Sequence, residues 1–360
     1  MVQRGLDLLR KHVCQGALHN SKERAHLPRR HPGTRVKLVD DIKTWLDDVD
    51  DPCLILWLKG LDGFGKSVIA ESIASHCYEE GRLLGGFFVS DRTPMETHQN
   101  DDTRIAPTIA HQMEQNPHLR LSRLIGGVVE ENPLVFGLNL PTQVEKLIVD
   151  PLSLRSDEMA CKIPPVLIIL DGLDQLPNKG SQTQVVEAFS KAVVQAQHQI
   201  PIKLLLCSRA QHAIQSAVMA PQIASLVRTI SLETDHPADE DIRTFLIDEF
   251  REFRRTHPSP HIFPTIWPTD SAIDKLVERA SGRFSYASTI LDYVRDESAD
   301  PIRRLSMVLG PSANSWPINV NNRGPGKASI FFLHPRSARC PSAYDVGVRP
   351  WSNHNVRDST

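Results

Sequence analysis

The sequence predicts an α/β fold in which a parallel central sheet carries helices on both faces and is followed by a small all-helical unit. Between residues 51 and 235, short and almost wholly apolar runs alternate with longer segments of helical period. Strands that are buried on both faces are apolar throughout, as in parallel sheets covered by helices. From residue 236 to residue 310 the apolar period is helical only, and after residue 311 no apolar period is visible.

Each element of this prediction follows from the apolar pattern. The strand candidates in chain order are residues 53–58, 86–90, 166–170, 203–207 and 227–232. The helix candidates within the sheet region are residues 68–78, 102–113, 144–152 and 182–197, and those of the helical unit are residues 239–255, 271–280 and 284–294. Residues 1–50 are predicted to form a leader with helices near 5–14 and 36–46 around a polar, basic loop.

The predicted organisation therefore has four parts, which are the leader 1–50, the sheet domain 51–235, the helical unit 236–310 and a tail 311–360. The tail is rich in proline, asparagine and serine, and we expect it to be disordered.

Composition excludes several classes of protein. The chain has 360 residues, 40% hydrophobic and 23% charged, with a formal net charge of −2, so a general nucleic-acid footprint is not expected. No apolar run has the length of about 20 residues that a membrane span needs, and the N-terminus is too charged for a signal peptide. The six cysteines form no C-x-x-C pair, which favours a reduced, cytoplasmic protein.

A glycine-rich motif between the first strand and the first helix of the sheet domain carries the chemistry. Residues 60–67 read GLDGFGKS, which fits the phosphate-binding pattern G-x-x-x-x-G-K-[ST]. Glycines let successive N–H groups face one phosphate chain, and the helix N-terminus adds partial positive charge. We expect nucleotide phosphates to contact Gly60, Gly63, Phe64, Gly65, Lys66, Ser67 and Val68. Lys66 can reach the outer phosphates, and the Ser67 hydroxyl can hold Mg²⁺.

The second half of the site is predicted at the ends of two neighbouring strands. Asp171 directly follows the most apolar strand, and we assign it to Mg²⁺ through water. Asp174 could orient an attacking water or form a turn, and the Gln175 amide can bind water but cannot take its proton. Arg209 follows the strand 203–207, where its guanidinium could contact the outer phosphate or lie on the surface.

The order GLDGFGKS, VLIILDGLDQL and KLLLCSR resembles the NACHT class of STAND P-loop NTPases, which have a three-layer sandwich and a helical lid. More narrowly, residues 5–310 resemble fungal NACHT proteins with a nephrocystin-3-like N-terminal region. The resemblance extends to the leader, GGFFVSDR, HPADEDIRTFLIDEFREFRRTHP and SGRFSYASTILDYV.

This resemblance implies a nucleotide-operated signalling switch of the NLR type, closed with ADP and open and self-associating with ATP. It implies Walker A roles for Lys66 and Ser67, a Walker B role for Asp171 and a sensor role for Arg209. Thr34 and Arg35, in the leader segment HPGTR, are implied to pass near the base. The cofactors implied are ATP or ADP with Mg²⁺, and GTP is not excluded.

The sequence departs from the family at several positions. Asp62 puts a carboxylate inside the phosphate loop, Gln175 stands where the family usually has Glu, and residues 282–284 read Gly-Arg-Phe instead of Gly-x-Pro. If that Glu is the general base, its loss slows hydrolysis by about 10²–10⁴, and if Asp174 does this work the cost is smaller. Ankyrin, TPR or WD-type repeats usually follow in such proteins but not here, as expected for a truncated protein or an imperfect gene model.

Three functions remain open from the sequence. The first is a switch with slow NTP hydrolysis. The second is a nucleotide-binding interaction module or truncated scaffold that does not hydrolyse, and the third is a metabolic P-loop kinase. Gln175, Asp62 and the missing repeats favour the second, whereas the DGLD segment and the helical lid fit a switch better than a kinase.

Overall fold

The computed structural model describes residues 2–89, 101–154, 164–296 and 299–310. The tail that we expect to be disordered, residues 311–360, lies outside these ranges, as does Ser90, the predicted end of the second strand.

A five-stranded parallel sheet forms the centre of the fold. Its strands are β1 (Ile55–Lys59), β2 (Leu83–Phe88), β3 (Val166–Asp171), β4 (Ile202–Ser208) and β5 (Val227–Ser231). They lie in the order β2-β3-β4-β1-β5, and every neighbouring pair is parallel. The carboxyl ends of β1, β4 and β3 therefore lie side by side at one edge of the sheet, where open parallel sheets bind ligands.

Helices cover the sheet on both sides, because side chains alternate between its two faces. The helices of the leader and sheet region are α1 (Val2–Lys11), α2 (Val36–Asp47), α3 (Lys66–Glu79), α4 (Ile105–Gln115), α5 (Ser122–Glu131), α6 (Leu140–Val144), α7 (Asp150–Ser153), α8 (Lys179–Ala196) and α9 (His212–Val218). A π-helical turn, Glu145–Val149, joins α6 to α7.

The strands supply two separate apolar clusters, one on each face. Ile168 and Leu170 pack with α1, α4 and α8, whereas Leu167 and Ile169 pack with α2 and α3. Each strand is thus buried on both sides, which is why its sequence is apolar without alternation.

The helical unit has an apolar core of its own, centred on Leu246, Phe250 and Ile290. Its helices are α10 (Asp239–Thr256), α11 (Asp270–Ala280), α12 (Phe284–Arg295) and α13 (Pro301–Leu309). The predicted α/β fold with a parallel sheet and a following helical unit is confirmed. Helices α5, α9 and α13 were not predicted from the sequence, and the second strand begins three residues earlier than predicted, at Leu83 and not at residue 86.

Candidate nucleotide-binding site

The phosphate loop, residues 60–67, connects β1 to α3 and owes its shape to two glycines. Gly63 and Gly65 have φ angles of 83° and 94°, in the left-handed region that L side chains rarely adopt. The loop is fixed at its start, where the Gly60 amide donates to the Ser208 carbonyl at 3.3 Å and the Leu61 amide donates to Glu233 at 2.7 Å. The loop backbone is therefore preset by contacts with the ends of β4 and β5.

The loop ends at the N-terminus of α3, whose first N–H groups have no acceptor within the helix. Together with the helix dipole, these groups favour an anion. The Lys66 ammonium lies over the same loop and donates to the carbonyls of Gly60 and Leu61, at 2.7 and 2.9 Å. Lys66 and Ser67 are both half-buried, and so is Val68 one residue further along α3. The loop thus places N–H groups, an ammonium and a hydroxyl within one turn.

Asp171 ends β3 in a buried position, with 2% of its surface exposed. Burial raises the pKa of its carboxyl to about 6, while the Ser67 hydroxyl and the positive charges of Arg24 and Lys66 oppose the rise. Its Oδ1 atom is buried without a hydrogen-bond partner in the part of the chain that the structure describes. The structure therefore brings the carboxylate next to the Ser67 hydroxyl at the mouth of the loop.

These residues fit a magnesium ion that also binds phosphate. A buried, unpaired carboxylate oxygen next to a hydroxyl offers hard oxygen ligands, which Mg²⁺ prefers alongside waters and phosphate oxygens. Within the described ranges no cluster of three or more His, Cys, Asp or Glu residues could hold a metal by itself. Ser67 and Asp171 would therefore hold the ion together with a nucleotide, and the ion would neutralise phosphate charge there.

Glycine is required directly after Asp171. Gly172 has a φ angle of 76°, and a Cβ atom there would lie 2.7 Å from the Val89 carbonyl oxygen. The turn that follows, Leu173–Gln175, brings Asp174 under the end of β4. Steric exclusion of a side chain therefore explains why Gly172 follows Asp171 in the DGLD segment.

Asp174 and Arg209 contact each other directly. The Asp174 carboxylate accepts from the Arg209 amide at 2.9 Å and from Arg209 Nε at 2.6 Å. The Arg209 guanidinium also donates from Nη1 to Asp62 in the phosphate loop, at 2.9 Å. Asp174 thus orients an arginine, and Arg209 joins the end of β4 to the phosphate loop.

Gln175 completes the turn after β3. Its backbone N–H donates to the Gly172 carbonyl at 2.8 Å. Its half-buried side chain lies beside Gly172. The residue is at the correct edge of the sheet to contact a bound water, and its side chain has no basic group that could accept a proton from that water.

The two leader residues implied to approach the base lie close together but contact protein groups. The Thr34 hydroxyl donates to the His31 carbonyl at 2.8 Å. Arg35 is buried, and it donates to the carbonyls of Phe64, at 3.3 Å, and His236. Burial lowers the pKa of the Arg35 guanidinium, and the charge of Asp241 opposes that shift. Arg35 therefore joins the leader to the loop.

The helical unit lies on the phosphate loop. The Ser285 amide, in the first turn of α12, donates to the Gly63 carbonyl at 3.2 Å. A Cβ atom at Gly282 would lie 2.8 Å from the Phe64 ring, so the Gly-Arg-Phe segment packs closely against the loop. The first turn of α12 therefore contacts the backbone of the phosphate loop directly.

Three contacts of the site were not found from the sequence. Arg24 of the leader is buried beside Asp171, pairs with Glu71 at 3.3 Å and lies over the Phe88 ring. The other two are the contact of Ser285 with the loop and the pairing of Asp62 with Arg209. The partners in these contacts are far apart in the chain, so the sequence could not pair them. The signals it offered were an arginine in the polar leader loop, Arg24, and an acid in the phosphate loop, Asp62.

The fold and the site define a P-loop-like nucleotide-binding domain. The family model described as "Nephrocystin 3, N-terminal" matches residues 33–209, a range that contains the phosphate loop, Asp171 and Arg209. No curated protein matches the sequence. Among solved structures, one described as "Structure of C. elegans PCH-2" is similar at a TM-score of 0.43 with 13% identity, covering 77% of this chain and 70% of that chain. A likeness at this level does not bear on function.

Across the described residues, no helix combines the length and the apolar character that crossing a bilayer requires.

Proposed function

We propose that this protein is a nucleotide-dependent signalling switch of the NLR and STAND type, similar to fungal NACHT proteins. ATP or ADP is bound by the phosphate loop with Mg²⁺ at Ser67 and Asp171. The observation that supports this proposal best is the hydrogen bond from the Ser285 amide to the Gly63 carbonyl. It couples the helical unit to the loop that holds the phosphates, so the nucleotide state can bias the position of that unit.

Hydrolysis at this site is expected to be slow. The two Asp174 oxygens accept hydrogen bonds from Arg209, and Gln175 has no basic group. A water next to the outer phosphate would therefore be oriented without an efficient proton acceptor, at a cost of about 10²–10⁴ in rate. A slow NTPase suits a switch, because the lifetime of the ATP state sets the duration of the signal.

A second candidate is a module that binds nucleotide and does not hydrolyse it. The engagement of Asp174 by Arg209 favours it, because both Asp174 oxygens already accept hydrogen bonds from Arg209. In that case nucleotide would stabilise the closed arrangement, and a protein partner would supply the output.

A turnover assay on the full chain with ATP and Mg²⁺ separates the two candidates. The test variant is Asp171→Asn, which keeps the shape of the buried side chain and removes its charge. The matched control is Asp50→Asn at an exposed position. We expect slow turnover in the wild type and in Asp50→Asn, and at least a tenfold loss in Asp171→Asn.

Binding of ATP without turnover in the wild type would contradict the switch with hydrolysis and support the second candidate. Absence of any nucleotide binding would contradict both. The proposed setting is a reduced, cytoplasmic one, in line with the free thiols of Cys14, Cys53, Cys77 and Cys207. Self-association through the nucleotide-binding domain is proposed as the output.

A further inference from the structure

We propose that Asp62 makes this site select nucleoside diphosphates over triphosphates, because its carboxylate competes with an outer phosphate for Arg209. This inference rests on the proposed function, since it concerns which nucleotide the phosphate loop prefers.

Arg209 is held by two carboxylates of different character. Asp174 is fixed, with 3% of its side chain exposed, and binds the Arg209 amide and Nε. Asp62 is 62% exposed and accepts from Nη1, at 2.9 Å. Asp174 therefore sets the orientation of the guanidinium, whereas Asp62 contacts it from the solvent side and can rotate into water.

The location of Asp62 lets it compete with an outer phosphate for the Arg209 guanidinium. It is the third residue of the phosphate loop, directly before Gly63. The Lys66 ammonium donates hydrogen bonds to the carbonyls of Gly60 and Leu61, the two residues that precede Asp62. A third phosphate that approaches Arg209 meets the Asp62 carboxylate, which already accepts a hydrogen bond from the Nη1 atom.

Charge balance gives the direction of the effect. The group of Asp62, Asp174 and Arg209 carries a net charge of −1. An outer phosphate that approaches Arg209 is therefore repelled by the excess negative charge of this group. A diphosphate can be bound by the loop N–H groups and Lys66 without taking Arg209 from Asp62. The penalty therefore applies mainly to the third phosphate.

The pairing contributes little to the fold itself, because an exposed ion pair is weakly stabilising and screened by salt. Removing the Asp62 charge should leave the protein folded while it changes nucleotide preference. The contact between Asp62 and Arg209 thus affects the preference between diphosphate and triphosphate, and it favours the ADP-bound state as long as Asp62 stays bound to Arg209.

The test measures dissociation constants for ADP and for a non-hydrolysable ATP analogue on the full chain with Mg²⁺, with the guanine counterparts in parallel. The variants are Asp62→Asn, which removes the charge, and Asp50→Asn, which makes the same charge change at an exposed site away from the loop. In Asp62→Asn we expect the triphosphate analogue to bind about tenfold tighter and the diphosphate to change less than about twofold. Asp50→Asn should match the wild type for both.

An unchanged ratio of the two dissociation constants in Asp62→Asn would overturn the inference and leave the proposed function intact. Equal tightening of both nucleotides would also overturn it, because the charge would then act on phosphate in general. Failure of the wild type to bind any of the four nucleotides would instead remove the proposed function, and the inference with it. A thermal melt of each variant verifies that it is folded.

Discussion

Asp171 and His19 show at the scale of single residues how burial changes the proton affinity of a side chain in this protein. Burial raises the pKa of Asp171 to about 6, because an ionised carboxylate is poorly solvated inside the protein. Burial lowers the pKa of His19 to about 4 for the same reason, with a smaller contribution from the charge of Arg24. Asp171 lies at the phosphate loop, where its carboxylate can serve the proposed magnesium site. His19 lowers the free energy of unfolding in acid, because it is buried in its neutral form.

His19 gives a prediction for stability against pH. Its pKa in the folded protein, about 4, lies below the ordinary value of 6.5. The unfolded chain therefore takes up this proton first, and the free energy of unfolding should fall as pH drops from 6.5 towards 4. The shift from 6.5 to about 4 corresponds to about 3 kcal/mol at most.

Urea unfolding between pH 4 and pH 7 tests this, comparing the wild type with His19→Gln and with His198→Gln at an exposed position. His19→Gln should lose less stability than the wild type as pH falls, and His198→Gln should follow the wild type. Parallel curves for wild type and His19→Gln would show that His19 does not carry the acid sensitivity.

The residues of the phosphate loop could be predicted because they are consecutive in the chain and their spacing carries the chemistry. The pairing of Asp62 with Arg209 could not, because 147 positions separate the two residues. Asp174 illustrates the same limit. Its place after a strand was readable from the sequence, but the Arg209 amide and guanidinium that occupy its oxygens were not.

At the scale of elements, Arg35 connects three parts of the fold. It is the N-cap residue directly before α2, with a φ angle of 53°. It donates to the carbonyls of Phe64 and His236, and it lies over the Phe284 ring at the start of α12. A buried guanidinium in contact with the leader, the loop and the helical unit holds them in one arrangement.

Substitution of Arg35 by glutamine should therefore loosen the helical unit. The change leaves buried carbonyls unpaired, so we expect a loss of about 1–3 kcal/mol in stability and faster hydrogen exchange in the first turns of α10 and α12. The control is Lys37→Gln, an exposed position two residues further along α2. Equal exchange protection of α12 in the two variants would contradict this role of Arg35.

Helix α5 shows why some elements were missed. Its sequence SRLIGGVVEE contains Gly126 and Gly127, which disfavour a helix on local propensity. The structure explains Gly126, because a Cβ atom there would lie 2.8 Å from the Val2 carbonyl oxygen of α1, and a Cβ atom at Gly5 would in turn lie 2.0 Å from the Gly126 carbonyl oxygen. Close packing of two helices overrides propensity here, and that contact is not visible in either segment alone.

At the scale of the whole molecule, the strand order assembles the site. Because β4 lies between β1 and β3, the phosphate loop, Arg209 and Asp171 follow three adjacent strands at the same edge. The apolar strands and the alternation with helices were predictable from composition and period. The strand order was not, because it depends on which buried faces pack together.

The proposed function depends on a phosphate site at this edge of the sheet, and binding of MgATP to the full chain tests that site most directly. The comparison is between the wild type, Lys66→Ala and Lys191→Ala, which removes the same charge at an exposed position of α8. We predict that Lys66→Ala weakens ATP binding by about 10-fold to 100-fold, while Lys191→Ala binds as the wild type does. Equal ATP affinity in all three proteins would contradict the account.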